Sequence, residues 1–387
     1  MTLFLAMFFL GYGLLHFYAL IKIRAAFAPG ILAIVLLVLF MLAMILAPVG
    51  VRLTEKAGLE SIARLLSHIG YTWMGVIFLF FATGVFIDIY RLLLHVANVM
   101  FDGALSKFTL TYRHYVVIAL AVTAAVATYA YFEALHIRTE RITIVTPKLP
   151  AHANPLRIVQ ISDVHLGLIV SEARLARILE KVKEASPDIL VSTGDLVDGQ
   201  INNLETVIEP LKNITPRYGK FAITGNHEFY AGLAQSLDFT RKAGFTILRN
   251  ETARVGDVMY IIGVDDPASA GYRIPDGSSE RALLTSLTEG GFKLLLKHRP
   301  AVDAASTGLF DLQLSGHVHK GQIFPFRYLT RLFYPYYGGF HQVGKNAYLY
   351  VNRGSGTWGP PMRFLAPPEI TVIELVHGPE SRTPLTR

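Results

Sequence analysis

The sequence predicts a chain of two parts, a transmembrane region of four helices followed by an α/β domain. The first 135 residues contain four long stretches almost without charge, whereas charged residues return from His136 onward. After that point, short β-branched runs alternate with amphipathic helical patterns, and consecutive strands follow later in the chain. Early alternation followed by consecutive strands is typical of an α/β domain with mixed sheets.

The four apolar stretches are long enough to cross a bilayer. A hydrocarbon core about 30 Å thick needs about 20 helical residues, with about 17 as the lower limit. Four successive buried helices of this length would be unusual in a soluble core, so we expect membrane spans. No Lys or Arg precedes the first stretch, unlike in a secretory signal, and we expect that stretch to be retained. The predicted spans are Thr2–Ile21, Ile31–Val49, Tyr71–Ile87 and Tyr115–Phe132.

Charge and cysteine content narrow the possible partners. The chain has 387 residues, a net charge of +7 and no cysteine, which excludes disulfides and thiolate metal ligands. A positive chain would tolerate nucleic acid, but no RNA- or DNA-binding module is evident, so we expect no nucleic-acid partner. Lys and Arg divide six against five between the two sets of loops, so the positive-inside rule assigns neither side of the membrane. Nothing in the sequence fixes the oligomeric state.

Composition also places the domain boundaries. Three prolines within Thr146–Pro155 indicate a linker, which we place at 136–155 between a transmembrane region at 1–135 and a domain at 156–387. Helices are predicted at 171–185, 202–213 and 231–242. Strands are predicted at 156–162, 188–194, 220–225, 245–248, 258–264, 292–296, 309–314, 347–351 and 370–375.

Polar side chains follow five of the predicted strands. In an α/β domain, ligands collect beyond the carboxyl ends of the strands, so we expect these side chains to meet at one rim. Each pattern alone is more typical of a turn, but five in this order favour a metal site. His-x-His on an extended segment places both imidazoles on the same face. The residues are Asp163, His165, Asp195, Asp198, Asn226, His227, Glu228, His298, His317 and His319.

This donor set is larger than one ion needs. It suits two divalent ions about 3.5–4 Å apart that share a carboxylate and clamp a phosphoryl group. Imidazole mixed with oxygen donors favours Mn, Fe, Zn, Co or Ni over Mg or Ca. We therefore predict two divalent transition-metal ions, of unspecified identity, as cofactors.

The order D-x-H, G-D-x-x-D, G-N-H-E, H and G-H-x-H resembles the calcineurin-like metallophosphoesterase superfamily. The blocks "ISDVHLG", "GDLVDG", "TGNHEFYAG", "GVDDP", "SGHVHKGQIFPF" and "RGSGTWGPPMRFLAPPEI" are similar to those of a bacterial membrane-associated subgroup, over 156–375. The resemblance implies a four-layer αββα sandwich with mixed sheets and attachment to a bacterial cell membrane. The chain departs from the pattern at Lys320, where a glycine is expected, and this puts the choice of substrate in doubt.

The resemblance also implies roles for the polar residues. Asp195 would bridge the two ions, and Asp198 would fix its loop by hydrogen bonds rather than bind metal. His227 would stabilise the phosphoryl oxygens or protonate the leaving alkoxide, and Glu228 would orient the His227 imidazole. The first ion would be held by Asp163, His165 and His319, and the second by Asn226, His298 and His317.

The implied reaction is hydrolysis of a phosphate ester or pyrophosphate by direct attack of a metal-bridging hydroxide. Monoesters, diesters and pyrophosphates all suit the same metal clamp. The segment 323–340 is rich in aromatic residues interleaved with Arg327 and Arg331. It fits either an aromatic core loop or a lip at headgroup depth, with the arginines and Lys320 on lipid phosphates.

Because the domain is tethered to a bilayer, we favour the lip and a lipid-linked substrate. UDP-diacylglucosamine pyrophosphatases of lipid A synthesis belong to the same superfamily and are one candidate activity. A membrane sensor or transporter with a regulatory phosphoesterase domain is the alternative. It would need several ionisable residues in the spans, where His16 and Asp88 are the evident ones. A metal-binding scaffold without turnover would lack a proton donor, whereas His227 is present.

Overall fold

The computed structural model describes residues 2–150, 155–199, 204–271, 279–287, 290–379 and 385–386. The chain divides into two compact units. A helical unit comprises Met1–Phe132 with Gly359–Met362, and an α/β unit comprises Glu133–Trp358 with Arg363–Arg387. The division lies close to the change in composition at His136.

Four helices, all long and apolar enough to cross a membrane, confirm the predicted membrane region. They are α1 (Thr2–Phe27), α2 (Ile31–Lys56), α3 (Glu60–Met100) and α4 (Tyr112–Leu135). At 41 residues, α3 is about twice as long as a span requires. The sequence predicts only its middle part, Tyr71–Ile87, because Asp88 ends the uncharged stretch without breaking the helix.

Both ionisable side chains that the sequence singles out in the spans have partners inside the helical unit. Asp88 of α3 accepts hydrogen bonds from Lys22 Nζ at 2.6 Å and from the Tyr18 hydroxyl at 2.7 Å. His16 of α1 is buried, and its Nε2 accepts a hydrogen bond from Trp73 Nε1 at 2.9 Å. These bonds join α1 to α3 and satisfy polar groups that would be costly to leave unpaired in a bilayer.

The α/β unit contains two mixed sheets. Its strands are β1 (Arg138–Thr146), β2 (Leu156–Ile161), β3 (Ile189–Ser192), β4 (Lys220–Ala222), β5 (Thr246–Ile247), β6 (Glu251–Val255), β7 (Met259–Gly263), β8 (Phe292–Leu296), β9 (Leu312–Ser315), β10 (Gly339–Gln342), β11 (Tyr348–Val351), β12 (Glu369–His377) and β13 (Leu385–Thr386). The first sheet has the order β13-β1-β12-β2-β3-β4-β5, and the second has the order β10-β11-β9-β8-β7-β6.

Seven further helices accompany the sheets in the described residues: α5 (Glu172–Ala185), α6 (Glu205–Lys212), α7 (Asn226–Ala231), α8 (Leu233–Lys242), α9 (Ala268–Gly271), α10 (Glu280–Thr285) and α11 (Arg327–Phe333). The two sheets pack face to face, with Ile158 in the core between them. Its neighbour Val159 lies on the opposite face of the first sheet, in a core with Ile178 of α5. On the outer face of the second sheet, Leu284 of α10 packs in a cluster with Ile262. This helix–sheet–sheet–helix order confirms the predicted four-layer αββα sandwich.

One strand lies inside the predicted linker at 136–155. Arg138–Thr146 forms β1, which pairs in parallel with β12 along all nine of its residues. Ile142 and Ile144 alternate with polar residues and are buried between the sheets. This alternation precedes the prolines that indicate the linker. A linker is therefore limited to residues after Thr146, of which 151–154 lie outside the described residues.

Candidate metal centre

The predicted donors follow the carboxyl ends of five strands. In the first sheet β2, β3 and β4 run parallel, and in the second β8 and β9 run parallel. Side chains that follow parallel strands are delivered to the same edge of a sheet. The first sheet supplies Asp163, His165, Asp195 and Asn226, and the second supplies His298, His317 and His319.

Five of these donors have a left-handed backbone. Positive φ is uncommon for residues other than glycine, although Asp and His are enriched there, and each such residue costs about 1–3 kcal/mol. The φ angles are 49° at Asp163, 54° at His165, 52° at Asp195, 72° at His317 and 47° at His319. Strain concentrated at one edge of the sheets indicates a functional site rather than ordinary turns.

Two glycines allow the backbone to approach the carboxylates. A β-carbon at Gly225 would overlap the Asp195 side chain, and one at Gly316 would overlap the side chains of Ser162 and Asp163. Each glycine directly precedes a donor, Asn226 or His317. The glycines of the G-N-H-E and G-H-x-H motifs are therefore required by close packing at the site.

The first donor group consists of Asp163, His165 and His319, whose candidate ligand atoms all lie within 4.8 Å of one another. His319 Nε2 is 3.1 Å from His165 Nε2 and 3.5 Å from Asp163 Oδ1. All three side chains are buried. Oxygen and imidazole atoms that converge in this way could hold one divalent ion.

The second donor group consists of Asp195, His298 and His317. His298 Nε2 is 3.2 Å from Asp195 Oδ2 and 3.2 Å from His317 Nδ1. Asp195 Oδ2 is also 3.9 Å from His165 Nε2, which belongs to the first group. The Asp195 carboxylate therefore lies between the two groups, where a ligand shared by two ions would be needed.

In His298 and His317, a hydrogen bond engages one ring nitrogen and leaves the other available to a cation. We assign His298 Nδ1 as donor to the Thr193 carbonyl at 2.8 Å, which leaves Nε2 for a cation or, without one, for a proton shared with Asp195. We likewise assign His317 Nε2 as donor to the Tyr334 hydroxyl at 3.0 Å, which leaves Nδ1 without a proton. Burial and the nearby charge of His298 lower the pKa of His317 to about 2, so that imidazole is neutral. Metal-ligating histidines are commonly oriented by such outer hydrogen bonds.

His319 is held by a buried arginine. Arg363 is fully buried, and its Nη2 lies 2.9 Å from His319 Nδ1. Its Nη1 donates to the main-chain carbonyls of His319 at 3.1 Å and Arg353 at 2.7 Å. A guanidinium group has only donors, so His319 Nδ1 accepts this hydrogen bond, the proton of the neutral ring is on Nε2, and an ion at Nε2 would have to displace that proton. Arg363 thus fixes both the ring and the backbone of His319.

Asn226 supplies a free oxygen. It is the first residue of α7 and is buried, and its Oδ1 has no hydrogen-bond partner among the described residues. A buried unsatisfied amide oxygen costs about 1–3 kcal/mol, which coordination to a cation would relieve. The carboxylate, imidazole and amide donors therefore fit divalent metal ions.

His227 pairs with Asp198. Its Nδ1 lies 2.9 Å from Asp198 Oδ1 and 3.0 Å from the Asp198 main-chain oxygen. Burial lowers the pKa of His227, but the carboxylates of Asp195 and Asp198 outweigh burial and raise it to about 10. Without cations in the site, this imidazole is protonated at neutral pH. His227 also forms a third donor group with His165 and Asp195.

The prediction that Glu228 orients His227 is wrong. The Glu228 carboxylate accepts hydrogen bonds from the main-chain nitrogens of Gly225 at 2.7 Å, Asp195 at 3.0 Å and Leu196 at 2.8 Å. The physical reason is that α7 begins at Asn226, so Glu228 occupies its third position, from which a carboxylate reaches back to the N-terminal backbone. Glu228 therefore fixes the loop that carries Asp195.

Aromatic rings surround His227. The ring centroid of Tyr230 is 5.4 Å from that of His227, and the centroid of Trp358 is 6.0 Å away. Both side chains are about half exposed. They leave apolar surface beside the imidazole, where the organic part of a substrate could lie.

The three basic side chains predicted to form a substrate lip, Lys320, Arg327 and Arg331, lie on or near α11. The Arg327 guanidinium lies 4.7 Å from the Phe324 ring centroid, and the Arg331 guanidinium lies 5.8 Å from that of Tyr337. Lys320 is half-buried with a φ of 51°, and burial lowers its pKa. The described contacts place none of the three against a metal donor.

Two residues of the site were not assigned from the sequence, Tyr334 and Arg363. Neither belongs to a metal-binding motif, because their contacts with His317 and His319 arise only when distant loops fold together. For Arg363, the available signal is a lone arginine within an apolar, proline-rich block.

Residues 156–321 match the family described as calcineurin-like phosphoesterase. An uncharacterized metallophosphoesterase of Aquifex aeolicus is 39% identical over 250 residues, which cover 64% of this chain and 95% of that protein. A Danio rerio transmembrane protein with metallophosphoesterase domain is 36% identical over 274 residues, 67% of this chain and 62% of that protein. The crystal structure of a Danio rerio dimetal phosphatase covers 60% of this chain and 99% of its own, with 14% identity and a TM-score of 0.41.

Proposed function

Because this chain belongs to the calcineurin-like metallophosphoesterase family, we propose that its donors form a dinuclear centre in which each side chain has a defined role. The protein is a membrane protein and a phosphoester hydrolase, and its buried carboxylate and imidazole groups suit two divalent metal ions. In the proposed assignment Asp195 is shared between the ions. Asp163, His165 and His319 complete the first site, and Asn226, His298 and His317 complete the second.

The observation that carries this assignment is the convergence of free donor atoms from both sheets. Asp195 Oδ2 lies within 3.9 Å of imidazole nitrogens from both donor groups. The other nitrogen of His298 is engaged by the Thr193 carbonyl, and the other nitrogen of His317 is engaged by the Tyr334 hydroxyl. Burial lowers the pKa of His298, but the Asp195 carboxylate outweighs burial and raises it to about 10, so without a metal ion a proton on Nε2 takes the place that we propose for the cation.

The chain's own groups then divide the chemistry. When bound, the cations supply Lewis acidity toward the phosphoryl oxygens and lower the pKa of a bound water. His227, held by Asp198 beside the centre, keeps a proton and delivers it to the leaving oxygen. The exposed rings of Tyr230 and Trp358 hold the organic part of the substrate next to that proton.

For the substrate we propose a lipid-linked phosphate ester or pyrophosphate. Apolar rings beside His227, the membrane region and the absence of Asp and Glu from residues 312–368 support it. The spans do not favour a transporter, because Asp88 and His16 both have partners within the helical unit. Lipid extraction after incubation of the Mn-loaded enzyme with membranes, with phosphorus products identified by mass, tests the substrate. Exclusively water-soluble products would contradict it.

Replacing His227 with alanine tests turnover. We expect the variant to keep two metal ions and to lose about 10²–10⁴-fold in turnover of an alkyl phosphate ester, because the leaving alkoxide needs a proton. A p-nitrophenyl ester, whose leaving group needs no proton, should lose much less. A metal-binding scaffold would show no metal-dependent hydrolysis that the substitution could remove. The same Ala substitution at exposed Glu209 is the control.

A further inference from the structure

Large exposed apolar side chains of the α/β unit are concentrated on one short helix. Five of the eight such side chains in the described part of this unit lie at 326–333. The exposed fraction is 79% at Leu332, 73% at Phe333 and 58% at Tyr328. Together with Leu329, these positions have the spacing i, i+1, i+4 and i+5, so they share one face of α11. We call these four residues, with Phe326, the α11 face.

The α11 face is bordered by positive charge. Residues 312–368 contain no Asp or Glu, and of their six Lys or Arg, Arg363 is fully buried and Arg353 pairs with Glu140 and Glu369. Arg327 and Arg331 are one helical turn apart on α11, with their guanidinium groups against the rings of Phe324 and Tyr337. Aromatic and apolar side chains mixed with arginine are typical of segments at the boundary between lipid headgroups and acyl chains.

We infer that the α11 face docks on the headgroup layer of an anionic phospholipid bilayer. Apolar side chains on such a helix enter about 5–10 Å below the headgroups, while arginines remain at the lipid phosphates. The charge of the segment matches an anionic surface and opposes a cationic one. The chain also carries its own bilayer attachment, because its four long apolar helices precede the α/β unit.

A second copy of the chain fits this face less well. A two-fold contact centred on α11 would bring Arg327 and Arg331 of both copies together, in a segment that contains no carboxylate. Four like charges at such an interface would repel one another, whereas lipid phosphates neutralise them. Charge complementarity therefore favours lipid as the occupant.

The α11 face is adjacent to the metal centre. The helix ends at Phe333, and the hydroxyl of the next residue, Tyr334, is 3.0 Å from His317 Nε2. Docking would therefore bring the second donor group close to phosphate groups in the headgroup layer. The inference uses the proposed function only to identify the centre, and it concerns bilayer contact rather than turnover.

The absence of cysteine makes a direct depth measurement possible. Leu332→Cys and, in a separate variant, Phe333→Cys each carry a nitroxide label. The labelled full chain is reconstituted at one chain per nanodisc. The control is Lys242→Cys at the end of α8. The next residue, Ala243, accepts a hydrogen bond from Lys220, the first residue of β4. The control label therefore lies near the end of β4 that is opposite the metal centre. Collision rates with oxygen and with a water-soluble nickel chelate report the depth of each label.

In nanodiscs that contain phosphatidylglycerol, we expect the labels at 332 and 333 to be shielded from nickel and accessible to oxygen, with the reverse at 242. Arg327→Gln and Arg331→Gln should each lower the docked-to-undocked ratio about fivefold. Nickel accessibility at 332 and 333 equal to that at 242 would overturn the inference, as would shielding that appears only with several chains per nanodisc. Equal shielding in pure phosphatidylcholine would overturn the assignment to anionic lipid.

The depth measurement separates this inference from the proposed function. Shielded labels in an enzyme that does not hydrolyse phosphoesters would support docking and remove the proposed function. Water-exposed labels in an active enzyme would remove docking and leave the proposed function in place.

Discussion

The two sheets contribute to the metal centre in different ways. In the first sheet, the loop that carries Asp195 is held by main-chain hydrogen bonds to the Glu228 carboxylate. In the second sheet, His317 and His319 are held by the side chains of Tyr334 and Arg363, which belong to later loops. The first half is therefore fixed by the local fold, whereas the second half depends on individual side-chain partners.

This difference separates stability from metal affinity. A change to the first half removes hydrogen bonds that shape the backbone, so its cost should appear in folding. A change to an outer partner in the second half leaves the backbone in place, so its cost should appear in metal binding. Asp195 is the exception, because its carboxylate lies between the halves and should affect both.

The largest effect is expected for Asp195→Ala. Removal of the shared carboxylate should release both ions and lower turnover by more than the ~100-fold that loss of an outer partner costs. Metal content measured by mass spectrometry, with activity on a chromogenic phosphodiester, checks this. Retention of two ions with full activity would show that Asp195 does not join the halves.

Glu228→Gln tests the half held by the backbone. Glutamine is neutral and has one acceptor oxygen, so it cannot replace a carboxylate that accepts three main-chain hydrogen bonds. We expect a loss of about 1.5–3 kcal/mol in the free energy of unfolding. Urea denaturation of the metal-free protein measures it, with exposed Glu209→Gln as control. An unchanged free energy of unfolding would contradict the role of Glu228 in fixing the loop that carries Asp195.

Tyr334→Phe tests the half held by side chains. Without the Tyr334 hydroxyl, His317 loses the hydrogen bond that directs Nδ1 toward the second donor group. We expect about 10–100-fold weaker binding of one ion, with the other ion and the urea midpoint unchanged. Competitive chelator titration measures both affinities, and exposed Tyr328→Phe is the matched control. Equal weakening of both ions would contradict the division into two halves.

The smallest expected effect is a shift in pH dependence in Asp198→Asn. The Asp198 carboxylate helps to raise the pKa of His227, and its loss should lower that pKa by about one unit or more. A general acid must be protonated, so the alkaline limb of kcat should move to lower pH. The pH profile on an alkyl phosphate ester measures this, with metal content checked in parallel. An unmoved alkaline limb would exclude the Asp198–His227 pair from proton delivery.

The sequence is most informative where a motif follows a strand. Asp163, His165, Asp195 and the His-x-His pair each follow a β-branched run, and the parallel order of the strands makes convergence predictable. The four spans are also evident, since uncharged apolar runs of about 20 residues are typical of transmembrane helices. The ends of α3 are not evident from the sequence, because an apolar run indicates the part of a helix in the membrane core and not the full length of the helix.

The sequence is least informative about partners from separate loops. The orientation of Glu228 depends on the residue at which α7 begins, and a shift of one position would turn its side chain toward another group. Tyr334 and Arg363 meet His317 and His319 only after the loops fold, so spacing along the chain carries no signal for them. The sequence does not predict strand β1, because its alternating pattern directly precedes the prolines that indicate a linker.

The number of metal ions bound per chain tests the central claim most directly. Inductively coupled plasma mass spectrometry of freshly purified full-length protein should find two divalent transition-metal ions per chain. A content of zero or one after metal supplementation would contradict the convergence of both sheets on a pair of cations.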